Sequence, residues 1–154
     1  MEPKQVPAER WLIVGCGYVG AHVARRAREA GHTVYALTRS QSRFPALQAL
    51  GVQPCWGHWL EPDSLNNLPA IDRMLVAVPH RTDETCLPPG EPIGEQDAEL
   101  AERTHAVGLQ NILTALPASW KQLVYLSTTG VFGESSQRWV DEQTPVSPTR
   151  LGPR

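Results

Sequence analysis

Short apolar runs alternate along this chain with segments in which apolar residues return every three or four positions. Residues 11–14, Trp-Leu-Ile-Val, form a β-prone run. Residues 18–30 follow as a helix, with Val19, Val23, Ala27 and Ala30 at helical spacing and Arg25, Arg26, Arg28 and Glu29 facing elsewhere. Gly31 supplies the stop. The same reading predicts a second strand over 32–37 ended by Thr38-Arg39-Ser40, a short helix over 44–50, a third strand over 52–56 and a helical turn over 64–68 after Pro62. Residues 74–78 are a continuous apolar run closed by Pro79, the pattern of a strand covered on both faces. Residues 81–96 hold Pro88, Pro89, Gly90, Pro92 and Gly94 and read as a long loop. The longest helix is predicted over 97–116, with Leu100, Thr104, Val107, Asn111 and Ala115 on one face and Pro117 at its end; a fifth strand follows over 123–126.

Strands and helices alternating in this way predict right-handed crossovers and an α/β fold, a Rossmann-type doubly wound parallel sheet. Ligands in such a sheet lie beyond the carboxyl ends of the strands. That rule brings residues 15–20, 38–40, 78–80 and 127–133 to one rim.

The first of these segments carries the sharpest chemistry. Gly15, Gly17 and Gly20 form a G-x-G-x-x-G turn, with Tyr18 and Val19 inside it, between the first strand and the first helix. Gly15 permits the tight turn, Gly17 lets backbone approach a pyrophosphate, and Gly20 lets the helix pack closely, its N-terminus facing the anion. A plain tight turn is the alternative reading, and the flanking strand and helix favour the nucleotide. About 20 residues further on, where an acid would hold the ribose hydroxyls of NAD, the chain has Thr38, Arg39 and Ser40. A guanidinium between two hydroxyls suits the extra phosphate of NADP, with NAD as the lesser alternative. Against this stands the reading of Arg39 as a solvated charge at a strand end.

Composition narrows the partners. With 154 residues, 41% of them hydrophobic, the chain can bury a core and is expected to form one domain over 1–154. A formal net charge of −2 argues against nucleic acid or an anionic membrane as the main partner. Cys16, Cys55 and Cys86 are odd in number and form no C-x-x-C pair, and the histidines stand at no metal-ligand spacing, so a reducing compartment and no metal are expected. Cys16 reads as a small residue at a crowded turn in preference to a reactive thiol. No stretch approaches the roughly 20 apolar residues of a membrane span, and residues 1–10 lack a secretory core, so the expected location is cytoplasmic.

Residues 123–133, Leu-Val-Tyr-Leu-Ser-Thr-Thr-Gly-Val-Phe-Gly, together with the glycine turn, resemble the NAD(P)-dependent epimerase/dehydratase family of extended and atypical short-chain dehydrogenase/reductases, and the resemblance covers nearly the whole chain. It implies a small carbonyl or sugar-like substrate held by Thr128 as a catalytic residue, with Ser127 beside the nicotinamide and Ala77, Val78 and Pro79 against the cofactor. Asn111 falls where the family often keeps a helix asparagine, although satisfying local backbone is the plainer role for it. His58 stands where many members place an adenine-contacting aspartate. The family's Tyr-x-x-x-Lys pair is missing: Thr149 and Pro153 occupy its places. Among substitutes, Tyr18 lies in the turn and Tyr125 is expected to face the core. His80 is a proton carrier or, more simply, a loop histidine. Trp56 and Trp59 read as core filling before adenine stacking, and Asp141-Glu142 as a solvated loop pair before a catalytic dyad.

Family members usually continue well beyond the point at which this chain stops, so the resemblance implies a truncated sheet and an absent substrate lobe. An apolar edge at the fifth strand predicts poor solubility or a homodimer. Two functions follow: an NADP-dependent oxidoreductase or epimerase/dehydratase-type enzyme, or a non-catalytic dinucleotide-binding module. A third, the nucleotide half of a hydroxyacid dehydrogenase, has no need of the Gly130 to Gly133 segment.

Overall fold

A computed structural model describes residues 7–78, 95–117, 119–127, 132 and 139–146, with backbone alone over 95–104. Five strands, β1 (Arg10–Val14), β2 (Thr33–Thr38), β3 (Gln53–Trp56), β4 (Arg73–Val76) and β5 (Gln122–Tyr125), form one sheet in the order β3-β2-β1-β4-β5. Every pairing is parallel. The helices are α1 (Tyr18–Glu29), α2 (Phe44–Ala49) and α3 (Glu95–Ala115), with 3₁₀ turns at Gln41–Arg43 and Pro62–Leu65. This is the Rossmann-like α/β sheet anticipated above. The chain divides into two compact units, and the sheet belongs to the one made of Met1–Pro79 and Leu109–Leu126. The other comprises His80–Gly108 and Ser127–Arg154.

Strand side chains alternate between two faces, and the sheet unit accordingly has two apolar layers. Leu12, Val14, Leu37, Met74 and Val76 join Trp59, Leu65, Ile71, Ile112 and Leu116 on one side. Ile13, Val34, Ala36 and Leu75 join Ala24, Ala27, Leu47 and Val52 on the other. Continuous apolar strands are required because both faces are covered.

Several expected boundaries move. The apolar run ending at Val78 pairs only as far as Val76, and the third strand begins at Gln53. The turn expected over 64–68 is a 3₁₀ turn over Pro62–Leu65. The longest helix starts at Glu95, inside the expected loop, whose residues 81–94 lie outside those described. The inner face of α1 is also corrected: Gly20, Ala24 and Ala27 are buried, whereas Ala30 is exposed and Val19 remains 46% exposed. The cause is the closeness of the helix to the strand it leaves. A Cβ on Gly20 would stand 2.4 Å from the Gly15 carbonyl oxygen and 3.0 Å from Ile13, so only small side chains fit that face.

At the amino ends of the strands, charges replace the apolar layers. Glu9, itself buried, pairs with Arg73 and with Lys121 at 3.2 Å. Asp72 pairs with Arg10 at 3.0 Å and with Lys121 at 3.7 Å. These contacts tie the roots of β1, β4 and β5 together.

Candidate dinucleotide site

The carboxyl ends of β1, β2 and β4 lie side by side, and β1 is the switch point from which the chain runs first to β2 and later to β4. A ligand crevice belongs at this point. Gly15 leaves β1 with φ of +88°, and a Cβ there would lie 2.6 Å from the Ala77 carbonyl and 2.7 Å from the Val78 nitrogen. The glycine turn and the 77–78 segment are therefore packed backbone to backbone, which brings Gly15, Ala77 and Val78 together as the sequence implied.

The turn closes through a Gly17 N–H donated to the Gly15 carbonyl at 2.9 Å, and the Ala21 N–H donated to Gly17 at 2.9 Å starts the helix. The first N–H groups of an α-helix have no partner within it. Here Gly17 is the N-cap, no side chain among the described residues caps the helix, and its first turn has no acid. A Cβ built on Gly17 meets no atom of the described residues within 4 Å. Tyr18 and Val19 extend into solvent at the same mouth, and the Tyr18 ring sits edge-on to His22 at 4.8 Å. Backbone amides without a partner in the helix and the positive end of the helix dipole can receive an anion such as a diphosphate. The residues fit a dinucleotide.

The β2 rim is more specialised than its sequence indicates. Thr38 is buried, and its hydroxyl accepts the Ser40 N–H at 3.3 Å and lies 3.4 Å from the Ser40 carbonyl, shaping the loop. The Ser40 hydroxyl shares a 2.7 Å hydrogen bond with Ser42. Arg39, between them, is exposed. Arg43 was not anticipated: its guanidinium donates to the Cys16 carbonyl at 2.7 Å, linking the start of α2 to the glycine turn. The only hint in the sequence is a second arginine four residues after Arg39.

Other candidates resolve individually. Cys16 is buried and its thiol is pushed up by that burial, against a smaller opposing effect of Arg43, as befits a residue chosen for size. Asn111 donates to the Trp59 carbonyl at 2.9 Å, and Trp59 is in the core. Trp56, by contrast, is half exposed, which corrects its reading as core filling. Tyr125 does not face a closed core either: it stands 37% exposed because β5 is the outermost strand. His58 follows Gly57, whose N–H donates to the Thr38 carbonyl at 3.1 Å; its Nδ1 is buried, 3.8 Å from the Glu61 carboxylate. The Asp141 carboxylate accepts the Gln143 N–H and the Thr144 hydroxyl, which hold its pKa down within a local turn. Ser127 is exposed and follows Leu126, whose N–H donates to the Val76 carbonyl at 2.9 Å. Pro79, His80, Thr128, Thr149 and Pro153 lie outside the described residues. Among the described residues no helix is long and apolar enough to cross a membrane.

Comparison with known proteins agrees with this geometry. A Synechocystis sp. protein named as a dihydroflavonol 4-reductase is 28% identical over 136 residues, which is 86% of this chain and 37% of that protein. A solved Burkholderia cenocepacia structure named as an epimerase superposes with a TM-score of 0.74 at 18% identity, covering 96% of this chain and 46% of that one. A UDP-glucose 4-epimerase structure gives a TM-score of 0.67 at 15% identity, covering 91% and 42%. At such identities the two structures speak for the fold, and the chain spans less than half the length of each of these relatives. Residues 11–151 match the NAD dependent epimerase/dehydratase family, and this chain accordingly belongs to that family, whose cofactor is a nicotinamide dinucleotide.

Proposed function

We propose that this chain binds NADP(H) at the glycine turn as the cofactor part of an oxidoreductase or epimerase/dehydratase-type enzyme acting on a small carbonyl or sugar-like compound. The observation that carries the reading is the mouth of α1, uncapped and with clear space before Gly17 among the described residues, and the Ala77–Val78 backbone packed on Gly15. Bound there, the nicotinamide would supply hydride transfer. The protein's part is to hold the diphosphate on the amides of the first turn and to receive the ribose end at the β2 rim. Arg39 gives preference for the 2′-phosphate, since an anion there gains charge-assisted hydrogen bonds that a bare hydroxyl does not. Thr128 holds the substrate oxygen and Ser127 lies beside the nicotinamide. Free thiols at Cys16 and Cys55 are compatible with a cytoplasmic setting.

A second reading draws on Thr149 and Pro153, which stand in place of the family's tyrosine and lysine. Without that acid/base pair, the chain acts as a dinucleotide-binding module.

Fluorescence titration with NADPH and NADH tests the cofactor reading. The natural chain is expected to bind NADPH more tightly, and Arg39→Ala to weaken NADPH by about tenfold, about 1.4 kcal/mol, while leaving NADH nearly unchanged. An equal loss for both cofactors would remove Arg39 as a phosphate ligand. NADPH consumption across a panel of small aldehydes and ketones separates the two functions: binding without turnover favours the module.

A further inference from the structure

Arg43 is an exposed side chain held on a backbone carbonyl 27 residues earlier, and ordering a long exposed cation costs rotamer entropy. Its base is fixed. Arg43 closes the 3₁₀ turn through its own N–H to Ser40 at 3.2 Å and precedes α2, whose Leu47 is buried. Its tip reaches Cys16, the residue between the two glycines of the turn. Gly15 and Gly17 give this stretch the most backbone freedom in the mouth of α1. A bare carbonyl there would also direct partial negative charge towards an incoming diphosphate.

From this geometry we infer that Arg43 is a positioning residue for the diphosphate, fixing the glycine turn and masking the Cys16 carbonyl so that the helix amides meet the anion. The inference rests on the cofactor reading above and assigns Arg43 a different duty from Arg39. Arg39 discriminates between NADP and NAD. Arg43 serves both, because both carry the same diphosphate.

ADP, NADH and NADPH are titrated against the natural chain, Arg43→Gln and Arg43→Lys, with thermal unfolding recorded for each. ADP supplies the diphosphate without the 2′-phosphate or the nicotinamide. Arg43→Gln is expected to weaken all three by the same factor, about five- to tenfold, with the melting temperature within about 2 °C of the natural chain. Arg43→Lys is expected to recover part of the loss, since an ammonium can still cap the carbonyl. Amide resonances of Gly17, Tyr18 and Val19 should move in Arg43→Gln before any ligand is added, a change that loss of a remote phosphate contact would not produce. A loss confined to NADPH would overturn the inference and make Arg43 a second 2′-phosphate ligand; unchanged affinities would overturn it outright. If the natural chain binds none of the three, the cofactor reading itself fails, and that result is distinct from either.

Discussion

Gly15 and Gly17 stand two residues apart and meet opposite demands. At Gly15 the backbone is left-handed and the Ala77 carbonyl lies within 2.6 Å of any Cβ, so Gly15→Ala combines backbone strain with a clash against main chain that cannot move aside. The left-handed conformation alone costs an L-residue about 1–2 kcal/mol, and the clash adds to that. Gly17→Ala meets no atom of the described residues. Its methyl would instead occupy the space a diphosphate needs. Urea unfolding together with NADPH titration should therefore give a doubly dissociated pattern: Gly15→Ala loses more than about 2 kcal/mol of stability, whereas Gly17→Ala folds normally and binds NADPH at least tenfold more weakly. Normal binding by Gly17→Ala would show that the ligand does not approach this turn. The tight turn at Gly15 and the close packing at Gly20 were legible because G-x-G-x-x-G between a strand and a helix has few structural solutions. The Arg43 contact was not legible, since which carbonyl a long side chain reaches depends on where two loops meet in space.

Among the elements, the strand roots are joined by charge. Glu9 and Asp72 have pKa values held below their ordinary ranges, Glu9 chiefly by the Arg73 hydrogen bond and Asp72, at about 2, chiefly by the Arg10 hydrogen bond. A carboxylate with a lower pKa folded than unfolded stabilises the fold above its unfolded value and loses that contribution as pH falls towards its folded value. Stability is thus expected to be level near neutrality and to fall from about pH 4.5 towards pH 2, where Lys121, Arg73 and Arg10 lose their partners. Melting temperatures across pH 3–7 provide the measurement, and Asp72→Asn should flatten part of the acid limb while lowering the neutral plateau. An acid limb identical in the variant would remove Asp72 from the account. Periodicity located every strand of the sheet, most sharply the central β1, β2 and β4, because strands buried on both faces must be apolar throughout. On α1 it was right for Val23 and Ala27 but misplaced Val19 and Ala30, because the approach to β1 brings the smaller Gly20 and Ala24 inward. The end of β4 shifted for a related reason: apolar composition does not reveal where ladder pairing stops.

For the sheet unit as a whole, the uneven covering of its two faces has a consequence at β5. On the side carrying α1 and α2, α1 packs on β1 and β2, and α2 on β3. Val124 pairs in register with Leu75, yet Leu75 is 4% exposed and Val124 is 43% exposed. Leu126 is 41% exposed and Tyr125 37%. Residues 123–127, Leu-Val-Tyr-Leu-Ser, carry no charge that would discourage another strand from pairing. β5 is also the outermost strand of the sheet among the described residues. Contiguous exposed apolar side chains on an outer strand favour association, and an antiparallel β5–β5 pairing of two copies would bring them together in a symmetric, closed manner. Sedimentation velocity over a concentration series is expected to show self-association of the natural chain. Val124→Lys with Leu126→Lys should shift its midpoint upwards by at least tenfold in concentration. A natural chain that sediments as a monomer throughout the series would mean that the β5 edge is protected, and the paired lysine substitutions should then leave sedimentation unaltered.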